Sequence, residues 1–154
     1  MRFRSTALLL SLAAVSACAL SDSTQPSNPA EETFAPALEV DLSTMTKISD
    51  DLYYKDVVVG TGTPAAAFGK MITVYYNGFL KDGTKFDGNI GGDSLRIPLD
   101  SDLIAGWYVG IPGMKPGGTR KLVVGSSYGY GARGSGPIPP HATLVFDIQL
   151  KRVE

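Results

Sequence analysis

Short stretches of alternating apolar and polar residues cover the chain from about residue 51 to its end. Between them stand turn signals, such as the Asp82-Gly83 pair, in which glycine supplies a positive φ. A period of two broken by turns is typical of β-strands. The strands predicted in this way are 52–59, 71–80, 85–87, 95–99, 119–124 and 143–153. In the last of them Leu144, Phe146, Ile148 and Leu150 share one face, and Val145, Asp147, Gln149 and Lys151 share the other. Pairing of these strands predicts an antiparallel sheet of about five strands.

One short helix is predicted between the strands 95–99 and 119–124. Ser101 is a favourable N-cap residue, and Asp102 suits the positive end of the helix dipole. The helix would place Leu103, Ile104 and Trp107 on one apolar face and end at Gly110 and Pro112. A sheet that holds one short helix is an α+β arrangement with a cleft between the two elements.

The first residues have the pattern of a signal peptide. Arg2 and Arg4 give a positive head, and residues 7–17 form an apolar stretch of the usual length. This stretch ends in Val15-Ser16-Ala17-Cys18, which resembles the lipobox of bacterial lipoproteins. The resemblance implies a signal peptide over residues 1–17 and lipidation of Cys18, the only cysteine of the chain. An ordinary secretory signal peptide that leaves a free cysteine is the alternative.

Residues 18–50 are predicted to form an acidic tether rich in Ser, Thr and Pro, and residues 51–154 to form the folded domain. Glycine is absent before Gly60, and Lys47 is the one base among residues 19–50. Residues 21–29 carry too little apolar surface to become ordered by themselves. Leu38, Val40, Leu42 and Met45 form a weak apolar stripe further along. For residues 34–47 both docking on the domain and disorder remain open.

Composition excludes several classes of function. The net charge of −1 argues against a nucleic-acid-binding protein, which needs a basic surface. One Cys and one His exclude an internal disulfide and Cys- or His-rich metal sites, so neither metal nor cofactor is expected. His141 stands beside two prolines, away from any nucleophile motif, and is interpreted as a turn histidine whose ring bonds nearby backbone.

Aromatic residues are the main positive feature. The chain from residue 51 on holds seven Tyr, four Phe and one Trp. Several of them stand beside Gly or Pro, where a strand or loop is interrupted. This arrangement can line an apolar cleft with a few hydroxyl groups for orientation, although a core alone could also use it.

Four motifs in order resemble the FKBP family, the FK506-binding type of peptidyl-prolyl cis-trans isomerase. They are residues 74–78 with 81–87 (VYYNG, KDGTKFD), residues 103–107 with 113–118 (LIAGW, GMKPGG), residues 128–131 (YGYG) and residues 138–147 (IPPHATLVFD). The match covers about residues 51–154. It implies a curved antiparallel sheet, or half barrel, wrapped around one short helix whose Trp forms the floor of a pocket.

The resemblance also implies the site. Its catalytic residues would be Tyr76, Phe86, Asp87, Trp107, Tyr130 and Phe146, and its substrate-binding residues Leu95, Leu103, Ile104 and Ile138. Ile104 would contribute its backbone N–H, Tyr130 its hydroxyl, and Asp87 the acid of the pocket. Three positions depart from the family pattern: Leu95 where many members have Phe, Asp102 where a longer polar residue is usual, and a loop at residues 133–137 that is about one residue short.

The expected function is isomerisation of X–Pro bonds in extracytoplasmic protein folding, by binding the twisted amide without covalent catalysis. Expected partners are proline-containing polypeptides, macrolides such as FK506 or rapamycin, and the membrane through a lipid anchor; a monomer is expected. The expected location is the cell envelope, on the periplasmic side or at the outer membrane, or else outside the cell. The alternatives are a non-catalytic peptide-binding or chaperone module on the same fold, and a structural domain of the envelope without an open pocket.

Overall fold

The computed structural model describes residues 25–154. They form seven strands, one α-helix and five short 3₁₀ turns. The strands are β1 (Thr46–Ser49), β2 (Leu52–Val58), β3 (Met71–Leu80), β4 (Lys85–Gly88), β5 (Leu95–Pro98), β6 (Thr119–Val124) and β7 (Leu144–Val153), and the helix is α1 (Ala105–Gly110). Each strand predicted from the alternation is present, with its bounds moved by one residue at most.

All seven strands join one antiparallel sheet in the order β1-β2-β6-β7-β3-β4. The short β5 pairs with the first half of β3, on the edge whose second half pairs with β4. Gly83 has φ +90° in the turn between β3 and β4, as the Asp-Gly signal predicted. Strand β1 was not predicted from the sequence. Its residues are largely exposed, and the chain turns back at Asp50 and Asp51 so that β1 pairs with the start of β2.

The helix α1 begins later than predicted. Ser101 is not its N-cap; Ser101 lies in a separate turn, where the Asp100 side chain accepts a hydrogen bond from the Asp102 N–H at 3.1 Å. The chain then stays extended at Ile104, with φ −55° and ψ 142°, and α1 starts at Ala105. Its end at Gly110 was predicted correctly. None of the helices in the described part of the chain is long and apolar enough to span a bilayer.

Two glycines bring α1 close to the sheet. A Cβ atom at Gly106 would lie 2.6 Å from a methyl carbon of Val124, and one at Gly110 would lie 2.8 Å from a methyl carbon of Leu122. Since these glycines are four residues apart, they share the face of α1 that packs on β6. The main core fills the concave side of the sheet around this contact, with Trp107 and Phe146 among its buried members.

The opposite side of the sheet is covered by residues 25–45, here called the strap. Leu38, 3 % exposed, packs with Tyr53, Val123 and Val145 in a second apolar cluster, and partly buried strap residues surround it. Residues 34–45 are therefore docked on the domain.

The first strap residues are anchored as well, although the sequence predicted a coil for them. Ser27 and Ser126 exchange two hydrogen bonds, in which each backbone N–H donates to the hydroxyl of the other residue at 2.9–3.1 Å. Further along, the Ala35 N–H donates to the Lys81 carbonyl at 2.8 Å. Packing on the domain supplies the order that residues 25–29 could not supply by themselves. The division of the chain at residue 50 stays a prediction.

Candidate active site

A cavity of about 270 Å³ opens between α1 and the concave face of the sheet. Strands β3, β4, β5 and β7 form its walls, and the loops before α1 and after β6 close its ends. It is lined by Tyr76, Phe86, Asp87, Leu95, Ile97, Asp102, Leu103, Ile104, Trp107, Tyr130 and Phe146. We call it the aromatic cavity. Its walls are apolar, and a few hydroxyl and carboxyl groups are available for orientation, which suits a small apolar group attached to a polar chain.

Trp107 forms the floor of the aromatic cavity. It is 5 % exposed, and its ring meets Tyr76 at 5.0 Å and Phe146 at 5.5 Å, both nearly perpendicular. Phe86 in turn meets Phe146 edge-to-face at 5.7 Å. Aromatic pairs prefer this geometry, so the contacts hold the four rings in fixed relative orientations. The indole Nε1 is buried and has no hydrogen-bond partner within residues 25–154.

Gly78 supports the aromatic rings from β3. A Cβ atom there would lie 2.6 Å from Cζ of Phe86 and 3.0 Å from Cε1 of Phe146. The residue must therefore be glycine if both rings are to keep their positions. Sequence reasoning missed this role. The available signal was a glycine inside a strand, which often marks a close approach by another group.

Tyr76 and Asp87 form the polar rim. The Tyr76 hydroxyl donates to Oδ2 of Asp87 at 2.5 Å, while the Gly88 N–H donates to Oδ1 at 2.7 Å. Burial, followed by the hydrogen bond to Asp87 and its negative charge, raises the pKa of Tyr76 well above its usual range. Burial and the charge of Asp87 also raise the pKa of Tyr130. Both phenols therefore stay protonated and act as hydrogen-bond donors at neutral pH.

The backbone of Ile104 has one unpaired hydrogen-bond donor, its N–H, within residues 25–154. Its carbonyl accepts from Trp107 and Tyr108 as α1 begins. Its own N–H takes part in none of the hydrogen bonds found within residues 25–154. The extended conformation of this residue, and the later start of α1, are what leave the donor unused by the helix.

The structure brings nine of the ten residues of the predicted site to the aromatic cavity. Ile138 is the exception: its side chain is 6 % exposed and packs into the main core. A two-residue bridge with Ser135, bonded in both directions at 2.9 Å, fixes it there. Ile97 lines the aromatic cavity and was missed, although it lies two residues from Leu95 on the same face of β5. Cys18 and the signal-peptide residues 1–17 lie outside the described part of the chain.

The model of the FKBP-type peptidyl-prolyl cis-trans isomerase family matches residues 62–151. The chain belongs to this family. The match contains the helix, strands β3 to β6 and most of β7, whereas β1 and β2 lie before it. Every residue that lines the aromatic cavity falls within it. The expected fold is confirmed: an open antiparallel sheet holding one short helix, with seven strands where about five were expected.

Curated relatives agree with this assignment. An FK506-binding protein of Neisseria meningitidis serogroup A is 49 % identical over 105 residues, which are 66 % of this chain and 95 % of the relative. The 46 kDa FK506-binding nuclear protein of Spodoptera frugiperda is 46 % identical over 111 residues, but the match spans only 27 % of that longer protein.

Two solved structures superpose on the chain. FkpA from Escherichia coli is 38 % identical with a TM-score of 0.67, and the match covers 72 % of this chain and 52 % of FkpA. A peptidyl-prolyl cis-trans isomerase from Pseudomonas syringae is 29 % identical with a TM-score of 0.66, covering 77 % of this chain and 86 % of that protein.

Proposed function

We propose that this isomerase binds the proline ring of a polypeptide in the aromatic cavity and favours the twisted form of the preceding amide. The observation that carries the proposal is the set of perpendicular rings around Trp107, open to solvent beside two phenol donors. Rotation about an X–Pro bond meets a barrier of about 18–20 kcal/mol, because twisting breaks amide resonance. Twisting also reduces the charge separation of the amide, so an apolar site suits the twisted state better than the planar one. Such differential binding accelerates rotation.

Hydrogen-bond donors hold the polypeptide while the amide turns. Ile104, whose N–H is unused, and Tyr130, whose phenol is a donor, both line the aromatic cavity. Neither group changes its protonation state in this mechanism, and no covalent bond forms between the chain and its substrate. The lack of a base paired with a nucleophile in the sequence agrees with this account.

Asp87 is proposed as a positioning residue, acting through Tyr76. Removing its carboxylate in Asp87→Ala frees the Tyr76 ring, which packs on Trp107. A hydrogen bond to a charged group contributes about 1.5–3 kcal/mol, so kcat is expected to fall about tenfold or more. Because the rings that hold the proline remain, KM for a short Leu-Pro-Phe peptide is expected to change less than kcat.

The matched control is Asp93→Ala, which removes an exposed carboxylate outside the aromatic cavity. It is expected to keep the kcat of the unmodified chain. A folded Asp87→Ala protein with the kcat of this control would exclude the role given to Asp87. If Asp87→Ala instead raised KM about tenfold and left kcat unchanged, Asp87 would be a binding group only.

We further propose that the isomerase works outside the cytoplasm, held to a membrane by lipid on Cys18. The Val15-Ser16-Ala17-Cys18 motif and the apolar stretch before it support this proposal. Several acyl chains on one cysteine anchor a protein stably, whereas one chain binds only weakly. Its clients would then be polypeptides that fold near the membrane surface.

Mass spectrometry of the protein purified from membranes tests the anchor. The expected result is an N-terminal peptide that begins at Cys18 and carries acyl groups. The Cys18→Ser variant is expected to leave the membrane fraction. An unmodified cysteine on a protein recovered without membranes would contradict the proposal and favour ordinary secretion.

A further inference from the structure

The edge of the sheet beside the aromatic cavity has a gap between β4 and β5. Strand β5 pairs with residues 71–74 of β3, and β4 pairs with residues 77–79. Tyr76 lies between these two stretches, and within residues 25–154 neither strand pairs with it. Backbone polar groups away from water nearly always find a hydrogen-bond partner. The N–H and C=O of Tyr76 therefore need a partner that is not a strand.

Asn89, in the loop after β4, fills this gap with its backbone and its side chain. Its N–H donates to the Tyr76 carbonyl at 2.9 Å, and its Oδ1 accepts from the Tyr76 N–H at 2.7 Å. Its Nδ2 donates to the carbonyls of Val74 at 3.4 Å and Asp93 at 3.0 Å. Only this orientation of the amide pairs its oxygen with a donor and its nitrogen with acceptors. The side chain thus supplies the bonds that the peptide groups of a neighbouring strand would supply.

The same short segment also holds the hydroxyl end of Tyr76. Asp87, two residues before Asn89, accepts from the Tyr76 hydroxyl at 2.5 Å. The Gly88 N–H, between the two, donates to Asp87 at 2.7 Å. Residues 87–89 therefore fix Tyr76 at its backbone and at its hydroxyl, while its ring packs on Trp107 at 5.0 Å.

We propose that Asn89 is a positioning residue of the isomerase, which holds the ring and the hydroxyl of Tyr76 where the aromatic cavity needs them. This role rests on the proposed function of that cavity. Asn89 is not among the residues that line the cavity, so it acts on the substrate only through Tyr76. The competing account is a local one, in which the hydrogen bonds of Asn89 order the loop at residues 90–94 and nothing else.

The Asn89→Ala variant of the full chain tests this role. It leaves the Tyr76 N–H without its acceptor, so the ring can move from its position on Trp107. A hydrogen bond between neutral groups corresponds to a factor of about two to ten. The kcat for a Leu-Pro-Phe peptide is therefore expected to fall about fivefold, with a smaller change in KM. Asn89→Ser keeps a shorter polar side chain and is expected to give an intermediate kcat, which provides a second test if Asn89→Ala does not fold.

The matched control is Asn28→Ala in the strap. Asn28 is half-buried like Asn89, and its side chain accepts from the Ala30 N–H at 3.1 Å and donates to Glu31 at 2.9 Å. The control therefore removes an amide that also makes local hydrogen bonds, but outside the aromatic cavity. It is expected to keep the kcat and KM of the unmodified chain. Urea titration of each variant gives the folded fraction by which kcat is corrected.

Two further measurements separate positioning from a local role. In a double-mutant cycle, Asn89→Ala is expected to lower kcat little further in the Asp87→Ala background, because both substitutions release the same ring. Trp107 is the only tryptophan of the chain, so its indole N–H gives one NMR signal, which senses the Tyr76 ring beside it. This signal is expected to shift in Asn89→Ala and in Asp87→Ala and to stay unchanged in Asn28→Ala.

The outcomes distinguish this proposal from the proposed function. Equal kcat values for Asn89→Ala and Asn28→Ala would overturn the positioning role, and so would additive losses of kcat in the double-mutant cycle. If the unmodified chain isomerised no peptide, the proposed function would fail. The indole signal would then decide alone: a shift in Asn89→Ala would support the positioning of Tyr76 by Asn89, and an unchanged signal would overturn it.

Discussion

Tyr76 is the residue whose chemistry is most changed by its surroundings. Burial, the hydrogen bond to Asp87 and the charge of Asp87 all raise its pKa above the ordinary value of 10.0. In the native state the phenol then keeps a proton that the unfolded chain releases. Its contribution to stability is complete below pH 10 and is lost as the pH rises above that value.

The Tyr76→Phe variant tests this sign. Urea unfolding between pH 8 and pH 11 is expected to show a fall in stability above pH 10 in both proteins, because Tyr130 also has a raised pKa. The fall is expected to be less steep in Tyr76→Phe, because that variant lacks one of the two tyrosines whose pKa is raised in the native state. The same slope in both proteins would contradict the raised pKa of Tyr76.

The site residues that could be predicted from the sequence are those set by motifs. Trp107, Tyr76 and Phe146 occupy fixed places in the family pattern and meet at the floor of the aromatic cavity. Ile138 is buried in the main core and is not among the residues that line the cavity, so its role in binding stays a prediction. The role of Gly78 depends on which aromatic rings lie over β3 at this residue. The order of residues along the chain does not reveal which rings these are.

At the scale of elements, local competition explains where sequence-based prediction failed. Ser101 and Asp100 are both good capping residues, but they lie in a separate turn, and α1 starts at Ala105 after an extended residue. The strap shows the opposite case. Its apolar stripe was visible in the sequence, but the matching surface on Val123 and Val145 exists only once β6 and β7 are paired.

Leu38 is the centre of the contact between the strap and the sheet. It is 3 % exposed, and Leu→Ala substitutions at buried sites cost about 2–5 kcal/mol. Leu38→Ala is therefore expected to lower the free energy of unfolding by an amount in that range, measured by urea titration of the full chain.

The control for this prediction is Val59→Ala, at a residue 74 % exposed, which is expected to change stability by no more than about 0.5 kcal/mol. If both variants unfolded at the urea concentration of the unmodified chain, the strap would not be part of the stable fold.

At the scale of the whole molecule, the docked strap changes the reach of the proposed anchor. The sequence predicted a tether of 33 residues, from Cys18 to Asp50. In the structure, residues 25–29 already contact the domain, and Gln25 is only seven residues after Cys18. A fully extended chain spans about 3.3–3.6 Å per residue, so seven residues reach about 25 Å. With Cys18 lipidated, the aromatic cavity would serve polypeptides close to the membrane.

Exchange NMR of a Leu-Pro-Phe peptide with the full chain, with and without FK506, tests the central claim most directly. Unaided, the cis and trans forms interconvert over tens to hundreds of seconds. The account predicts that catalytic amounts of the protein accelerate this exchange, that FK506 suppresses the acceleration, and that Trp107→Leu weakens proline binding. Exchange at the rate found in buffer alone, by a folded protein that binds the peptide, would contradict catalysis and favour a peptide-binding module on the same fold.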